Sequence, residues 1–250
     1  MTTWSKNDIF FYYLGMKYSE YPKKIWERIK KENQGLSSIL DIGCGPGAFS
    51  LPALEDTCKV QAIDINQDHL SALENRCSNI KNLTLVHSDW TDAQVNKADI
   101  TICAYSLSSN IKSTQGIKKI INYTKNTAYF ISFINQEKTD FLSESLIQKL
   151  SITPKRYPSS NSDLESLFRG LRGKTTVETI EYDFGIPYLE NVSLGKYVDF
   201  ISRKTGISDS KVIKAHIRNI IVKKNGISWI PNPKKSLFIT WNNRNEKTSQ

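Results

Sequence analysis

The sequence predicts a doubly wound α/β fold, in which helices cover both faces of a seven-stranded, mostly parallel β-sheet. First, strand and helix patterns alternate along the chain, which is typical of parallel sheets. Second, the segment SILDIGCGPGAFSL at 38–51 is an apolar strand that ends in a glycine-rich turn. Third, 250 residues with 39% hydrophobic and 24% charged composition are enough for one sizeable core.

Runs of β-branched and aromatic residues predict strands at 38–42, 59–64, 83–87, 99–105, 127–133, 177–184 and 236–241. Helical periodicity predicts helices at 7–15, 21–32, 48–56, 67–77, 114–124, 140–149 and 162–171. Pro22 marks the start of the second helix, and Gly35 lies just beyond its end. We therefore expect an N-terminal helical cover at 1–35, a core formed by 36–184 and 236–242, and an insertion at 185–235.

The predicted insertion is too long for a hairpin connection, which normally takes about two to five residues. We expect a helical lid that serves recognition, with one helix ending at Gly206 and Ser208 capping the next. The second helix has an apolar stripe (Ile213, Ile217, Ile220 and Ile221) and a basic face (Lys211, Lys214 and Arg218). His216, on the flank of the stripe, is expected to be packed or hydrogen-bonded rather than to act as a general base.

The last part of the insertion, KKNGISWIPNPKK, predicts a turn at Asn225-Gly226 and an exposed Trp229 between lysines. Basic residues beside an aromatic ring can hold a nucleic acid or an acidic small molecule. The alternative, a loop that packs its tryptophan on the domain, is the safer prediction.

Charge is concentrated at the C-terminus. The net charge is +9, and residues 190–250 carry 12 basic against 4 acidic side chains. Such a segment can steer acidic ligands or nucleic acid, or it can be a solvated lysine-rich face.

Cysteine and histidine usage predicts neither a metal site nor a redox dithiol. The four cysteines form no C-x-x-C pair, and the three histidines form no ligand cluster. The N-terminus lacks the pattern of a signal peptide, and no apolar run approaches the length of a membrane helix. We expect a cytoplasmic protein that does not bind membranes.

The glycine-rich turn predicts a bound nucleotide-like cofactor. Gly43, Gly45 and Gly47 leave the backbone N–H groups accessible to a ligand, although a dinucleotide motif or a plain tight turn would also use glycines. Asp64 ends the next strand, about 20 residues further on, which is the spacing expected for an acid that accepts hydrogen bonds from the two hydroxyls of a ribose. Asp64 can alternatively cap the following helix. Adenosine is the predicted ligand component.

Asp89 and Trp90 follow the third predicted strand, where an adenine ring would lie. A carboxylate there can accept from the exocyclic amine, and an indole can pack on the ring. This pair favours an adenosine cofactor other than a dinucleotide.

These residues resemble the class I S-adenosylmethionine-dependent methyltransferases, which have a Rossmann-like fold. LDIGCGPG looks like their first motif, AIDIN their second, HSDWTD their acidic loop and ADITICAYSL their fourth strand. The resemblance implies that Asp41 and the Gly43–Gly47 turn surround the methionine moiety. It also implies that Asp64 and Ile65 contact the ribose and adenine, and that Asp89 with Trp90 contacts the base. A seventh strand inserted antiparallel near the sheet edge would follow.

Outside 38–107 the chain is similar to a group of methyltransferases from anaerobes and archaea that share an aromatic N-terminal segment ending in YP and a basic tail. In that segment, Tyr21 is predicted to close over the methionine end of the cofactor or to stack on a substrate. Tyr105, at the mouth of the fourth strand, either touches cofactor or substrate or closes the core. Cys103 is predicted to be a buried packing residue.

A sulfonium methyl is already a strong electrophile, so its displacement needs alignment more than a dedicated acid or base. Accordingly, the sequence identifies no catalytic residue. The predicted function is methyl transfer from S-adenosylmethionine to an unidentified, small-molecule acceptor. The alternatives are an RNA methyltransferase that uses the basic tail, a cofactor-binding module or partner subunit without activity, and a nicotinamide-dependent oxidoreductase. The oligomeric state is not predicted.

Overall fold

The computed structural model describes residues 4–77, 80–106, 113–134, 140–153, 166–168 and 171–243. The strands are β1 Ser38–Ile42, β2 Lys59–Asp64, β3 Leu83–His87, β4 Ala98–Ala104, β5 Thr124–Phe133, β6 Lys174–Asp183, β7 Ile186–Pro187, β8 Val222–Lys224, β9 Ile227–Ile230 and β10 Pro233–Asn242. The helices are α1 Lys6–Tyr18, α2 Lys23–Glu32, α3 Ser50–Glu55, α4 Gln67–Glu74, α5 Thr114–Tyr123, α6 Glu144–Lys149, α7 Leu194–Thr205 and α8 Ser210–Ile220. Of the predicted helix at 162–171, all but residues 166–168 and 171 lie outside the described residues.

Seven strands form the main sheet in the order β3-β2-β1-β4-β5-β10-β6. Neighbouring strands from β3 to β5 pair in parallel, whereas β10 pairs antiparallel with β5. The predicted seven-stranded, mostly parallel sheet is therefore confirmed, including its antiparallel strand near one edge. Because the carboxyl ends of β1, β2, β3 and β4 share one edge, the loops that follow these strands meet there.

The chain divides into two compact units. One consists of 1–21, 135–158 and 181–235, and the other of 22–134, 159–180 and 236–250. The unit with the sheet strands β1 to β5 has a core of apolar side chains from the sheet and from α5, among them Leu40, Ile42, Ile120, Phe130 and Trp241. The boundaries predicted from the sequence, at 35, 184 and 235, stay a prediction.

The other unit has its own apolar core, formed by α1, α7, α8 and short strands. The stripe of α8 contributes Ile213 and Ile217, and the Nε2 of His216 donates to the Phe141 carbonyl oxygen at 2.7 Å. The basic face of α8 is exposed. The predicted apolar stripe, basic face and hydrogen-bonded His216 of α8 are therefore confirmed. As expected, Gly206 ends α7 in a left-handed conformation.

The insertion differs from its prediction in two respects. It is not only helical, because β7, β9 and β8 form a second, three-stranded sheet. The helix α8 is capped by Asp209, not Ser208, since the Asp209 carboxylate accepts from the backbone of Lys211. The predicted turn at Asn225-Gly226 joins β8 and β9. The packed Trp229, which was the safer of the two interpretations, is confirmed: Trp229 is 2% accessible, and its Nε1 donates to Asp183 Oδ2 at 2.6 Å.

Within the described ranges, no helix combines the length and the apolar character needed to cross a membrane.

One testable consequence concerns Tyr129, which is buried in β5. Its hydroxyl donates to Glu32 Oε2 (2.9 Å) and accepts from Asn33 Nδ2 (2.6 Å), which holds the end of α2. We expect Tyr129→Phe to lower the free energy of unfolding by about 1–2 kcal/mol, because both hydrogen bonds of this hydroxyl are lost, one of them to a carboxylate. Urea denaturation measures this. Tyr123→Phe is the control, since no hydrogen bond of the Tyr123 hydroxyl is found among the described residues, and an equal loss in both variants would contradict the assignment.

Candidate functional site

The turn after β1 has a backbone that favours glycine at three positions. Gly43, Gly45 and Gly47 have φ angles of 66°, 52° and 99°, all in the left-handed region. The N–H of Cys44, between them, donates to the Ile63 carbonyl oxygen at 2.9 Å. The turn is therefore attached to β2 as well as to β1.

The three glycines serve different purposes. A Cβ on Gly43 would lie 2.1 Å from the Cβ of Ser106, and one on Gly47 would lie 2.6 Å from Leu73 Cδ1. At Gly45, by contrast, a Cβ would meet no atom of the described residues within 4 Å. Gly43 and Gly47 thus allow close packing of the protein on itself, whereas the backbone at Gly45 borders open space where a ligand can approach.

Asp64, the last residue of β2, lies next to this open space. Its Oδ2 accepts from the N–H of Gly45 at 2.8 Å, and its Oδ1 accepts from the N–H of Asn66 at 2.8 Å. His69 Nδ1 lies 3.4 Å from the same Oδ2. Burial alone would raise the pKa of Asp64, but the hydrogen bonds from His69, Asn66 and Gly45 hold that pKa below its ordinary value. The sequence-predicted acid is thus an ionised carboxylate held against the glycine turn.

Asp41 is the second carboxyl group of this region. It is buried in β1, and its Oδ2 accepts from Ser50 Oγ at 2.6 Å. Burial raises the pKa of Asp41 to about 7, and the negative charge of Asp64 acts in the same direction. Its 2% exposure places it beneath the turn, not at the surface of the site.

The loop after β3 is held by internal hydrogen bonds. Asp89 Oδ1 accepts from the backbone N–H and from the hydroxyl of Thr91, at 2.9 and 2.8 Å. The ammonium group of Lys119, from α5, donates to the carbonyl oxygens of Trp90 and Thr91, each at 2.7 Å. The loop therefore has a defined conformation at the same sheet edge as Asp64.

Trp90 lies in the core and not at the surface of this loop. Its indole is 2% accessible and packs edge-on against Tyr123, with their centroids 5.9 Å apart. This corrects the expectation that the indole is free to stack on an adenine ring. The physical reason is that the loop turns the side chain inward, where it buries a large apolar surface.

Ile65 and Tyr105 have the character expected of surface residues near a ligand. Ile65 follows Asp64, and its side chain is 45% exposed at this edge of the sheet. Tyr105 follows β4 with a positive φ of 56°, and its hydroxyl is 2.6 Å from Ser236 Oγ. A non-glycine residue in this conformation is strained, and such strain is concentrated at functional sites.

Two further predictions concern residues away from the turn. Tyr21 belongs to the other unit, where its ring stacks on Tyr182 at 4.9 Å and meets Phe184 edge-on. Cys103 is fully buried as predicted, and burial raises the pKa of its thiol to about 12, which disfavours a thiolate nucleophile. A ligand role of Tyr21, Tyr105, Asp89 and the other site residues stays a prediction.

Sequence patterns did not identify His69, Ser50 or Lys119, which contact Asp64, Asp41 and the loop after β3. Each contact joins positions that are brought together only by the fold, so sequence spacing gives no signal. His69 was noted only as one of three histidines without a cluster.

Comparison with known proteins agrees with this geometry. Residues 39–126 match the family model described as a methyltransferase domain. An uncharacterized protein of Haemophilus influenzae is 33% identical over 73 residues, which are 28% of this chain and 27% of that protein. The match thus spans little more than a quarter of the relative's length.

Solved methyltransferase structures have the same fold at low sequence identity. Magnesium protoporphyrin IX methyltransferase from Synechocystis PCC 6803, crystallised with bound SAH, is 10% identical with a TM-score of 0.54, covering 96% of this chain and 89% of that one. Phosphoethanolamine N-methyltransferase 2 from Haemonchus contortus, in complex with S-adenosyl-L-methionine, is 15% identical with a TM-score of 0.60, covering 96% and 58%. These structures and the strand order of the main sheet show that the chain has the Rossmann-like methyltransferase fold.

The different surroundings of Gly43 and Gly45 lead to a testable difference in stability. Gly45→Ala is expected to cost about 1–2 kcal/mol, because only the left-handed backbone disfavours alanine. Gly43→Ala is expected to cost more than about 3 kcal/mol, because the added methyl overlaps Ser106 as well. Chemical denaturation of both variants measures the difference, and equal losses would contradict the described packing of the turn.

A second prediction follows from Asp41. Its folded pKa, about 7, lies above the ordinary value of 3.8, so the folded state binds this proton more tightly than the unfolded chain. The stability that Asp41 contributes is fully present below about pH 4 and is lost as the pH rises to about 7, by on the order of 4 kcal/mol. The free energy of unfolding of wild type minus that of Asp41→Asn should decrease over this range. A difference that does not vary with pH would contradict the raised pKa.

Proposed function

We propose that this chain is a methyltransferase that moves a methyl group from S-adenosylmethionine to a small-molecule acceptor by direct displacement. The observation that carries the proposal is the open space at Gly45, bordered by the Asp64 carboxylate, which accepts from the Gly45 N–H at 2.8 Å. Any side chain at this position would occupy the space beside the acid. This arrangement suits a ligand whose ribose hydroxyls donate to Asp64 and whose neighbouring polar group lies against the glycine turn.

Each predicted residue then has a distinct task in holding the cofactor. Asp64 accepts from the ribose hydroxyls through its remaining lone-pair position, since an ionised carboxylate offers about four such positions and Gly45, Asn66 and His69 use three. Ile65 supplies an exposed apolar surface for the adenine, and Asp89 supplies a carboxylate near its amine. Asp41 shapes the turn from beneath, through Ser50, and does not itself reach the ligand surface.

The cofactor, when bound, supplies an electrophilic sulfonium methyl group. The chain's own contribution is to bind, to orient and to exclude water, so the rate enhancement comes from alignment of the acceptor with the methyl group. Tyr105 is placed at the mouth of β4, with its phenol held by Ser236, and can limit the directions from which an acceptor approaches.

A second candidate function is methylation of RNA. The observation that favours it is the exposed basic face of α8, formed by Lys211, Lys214 and Arg218, in a segment with net charge +8. Phosphate contacts of this kind give an affinity that falls steeply with salt. The face is a single helix surface without an aromatic platform, since Trp229 is buried, and for this reason we favour the small-molecule acceptor.

The test is methyl transfer from isotopically labelled S-adenosylmethionine into cell extract, with metabolites and RNA analysed separately by mass spectrometry. We expect label in the small-molecule fraction, and a loss of at least about tenfold in Asp64→Ala because a charged hydrogen-bond acceptor is removed. Asp68→Ala is the control, since it removes an exposed carboxylate four residues away.

The other outcomes separate the alternatives. Label in RNA, together with salt-dependent RNA binding that weakens in Lys214→Glu, would replace the small-molecule proposal by the RNA one. Cofactor binding without transfer in any extract would indicate a module without activity. Binding of NAD but not of S-adenosylmethionine in calorimetry would reject the proposal altogether.

A further inference from the structure

The helix α4 has one polar side chain among its buried positions near the site. Its other buried residues are Leu70, Ala72 and Leu73, all apolar, whereas His69 is 8% accessible. Asp64, at the end of the preceding strand, is also 8% accessible. The Nδ1 of His69 lies 3.4 Å from Asp64 Oδ2, so an imidazole and a carboxylate are buried together.

His69 completes a set of donors around one carboxylate. The N–H groups of Gly45 and Asn66 approach opposite oxygens of Asp64, each at 2.8 Å. His69 reaches the oxygen that Gly45 also contacts, from the first turn of α4. The backbone donors come from the two loops that flank the acid, and the imidazole adds a side-chain donor from the helix.

An imidazole at this buried position would cost free energy if packing were its only role. Burying a polar ring costs free energy unless it makes a hydrogen bond, whereas leucine or phenylalanine would fill the volume without that cost. At 3.4 Å the hydrogen bond from His69 is long, and the charge of its acceptor and the low local dielectric strengthen it. The pair also favours the ionised form of Asp64, in agreement with the lowered pKa of this carboxyl group.

We propose that His69 is a positioning residue that holds the Asp64 carboxylate in the orientation in which it accepts hydrogen bonds from the ribose hydroxyls of the cofactor. This inference rests on the proposed function and deepens it, because it assigns a role to a side chain that does not itself contact the ligand. His69 restrains rotation of the carboxylate about its Cβ–Cγ bond. The carboxylate therefore has its binding orientation before the cofactor binds, which lowers the entropy cost of ordering it on binding.

The test uses variants that separate the hydrogen bond from the packing. His69→Leu and His69→Phe keep an apolar side chain of comparable size but remove the donor. His69→Asn retains a donor nitrogen attached at Cγ, as Nδ1 is. We expect His69→Leu and His69→Phe to weaken binding of S-adenosylhomocysteine about tenfold in calorimetry, and His69→Asn to stay within about threefold of wild type.

A second ligand distinguishes positioning from general damage. An analogue of S-adenosylhomocysteine without the ribose hydroxyls cannot use Asp64, so its affinity should be the same in wild type and in all three variants. In an Asp64→Ala background, His69→Leu should cause no further loss, because the residue through which His69 acts is gone. In methyl-transfer assays of the single variants, we expect KM for S-adenosylmethionine to rise while kcat is unchanged.

Three results would overturn the inference: S-adenosylhomocysteine affinity unchanged in His69→Leu and His69→Phe, an equal loss for both ligands, or a loss in His69→Asn as large as in His69→Leu. If one apolar variant does not fold, as shown by its thermal unfolding, the other apolar variant and His69→Asn still decide between these results. Failure of the wild type to bind S-adenosylhomocysteine would instead reject the proposed function.

Discussion

The hydrogen bond between the Gly45 N–H and the Asp64 carboxylate is the interaction on which the candidate site depends. It joins the turn after β1 to the end of β2, so that two loops at one sheet edge are held together. An ionised carboxylate with so little exposure requires compensation, and the backbone of the turn supplies part of it. The conformation of the glycine turn and the position of the acid therefore cannot change independently.

The remainder of the site is built on the same principle, in which polar groups of the protein restrain one another. Ser50 donates a hydrogen bond to Asp41, and the Lys119 ammonium group donates to carbonyl oxygens of the loop after β3. Ser106 donates from the end of β4 to the Ile42 carbonyl oxygen at 2.6 Å and packs against Gly43. A site restrained in this way does not need to be ordered by its ligand, and this is what alignment-based chemistry requires.

Some parts of this arrangement could be read from the sequence, and others could not. The strands 38–42, 59–64 and 83–87 match the structure residue by residue, because strands of a parallel sheet are short, apolar runs with clear ends. The small sheet of β7, β9 and β8 was missed because its strands have only two to four residues, too few to show a period. Trp90 and Trp229 have charged or polar sequence neighbours, yet tertiary packing buries both. The pairing of His69 with Asp64 depends on the turn geometry between β2 and α4, which no spacing rule describes.

The position of β10 has a consequence for how the molecule is made. This strand, the last of the sheet in chain order, lies between β5 and β6, so residues 233–242 join a sheet whose other strands were synthesised much earlier. Until the ribosome has released this segment, the hydrogen-bonding edge of β5 has no neighbour on that side, and such an edge invites pairing with other chains. The edge of β5 therefore stays unpaired until residues 233–242 have been synthesised, and pairing with β10 then protects it against aggregation.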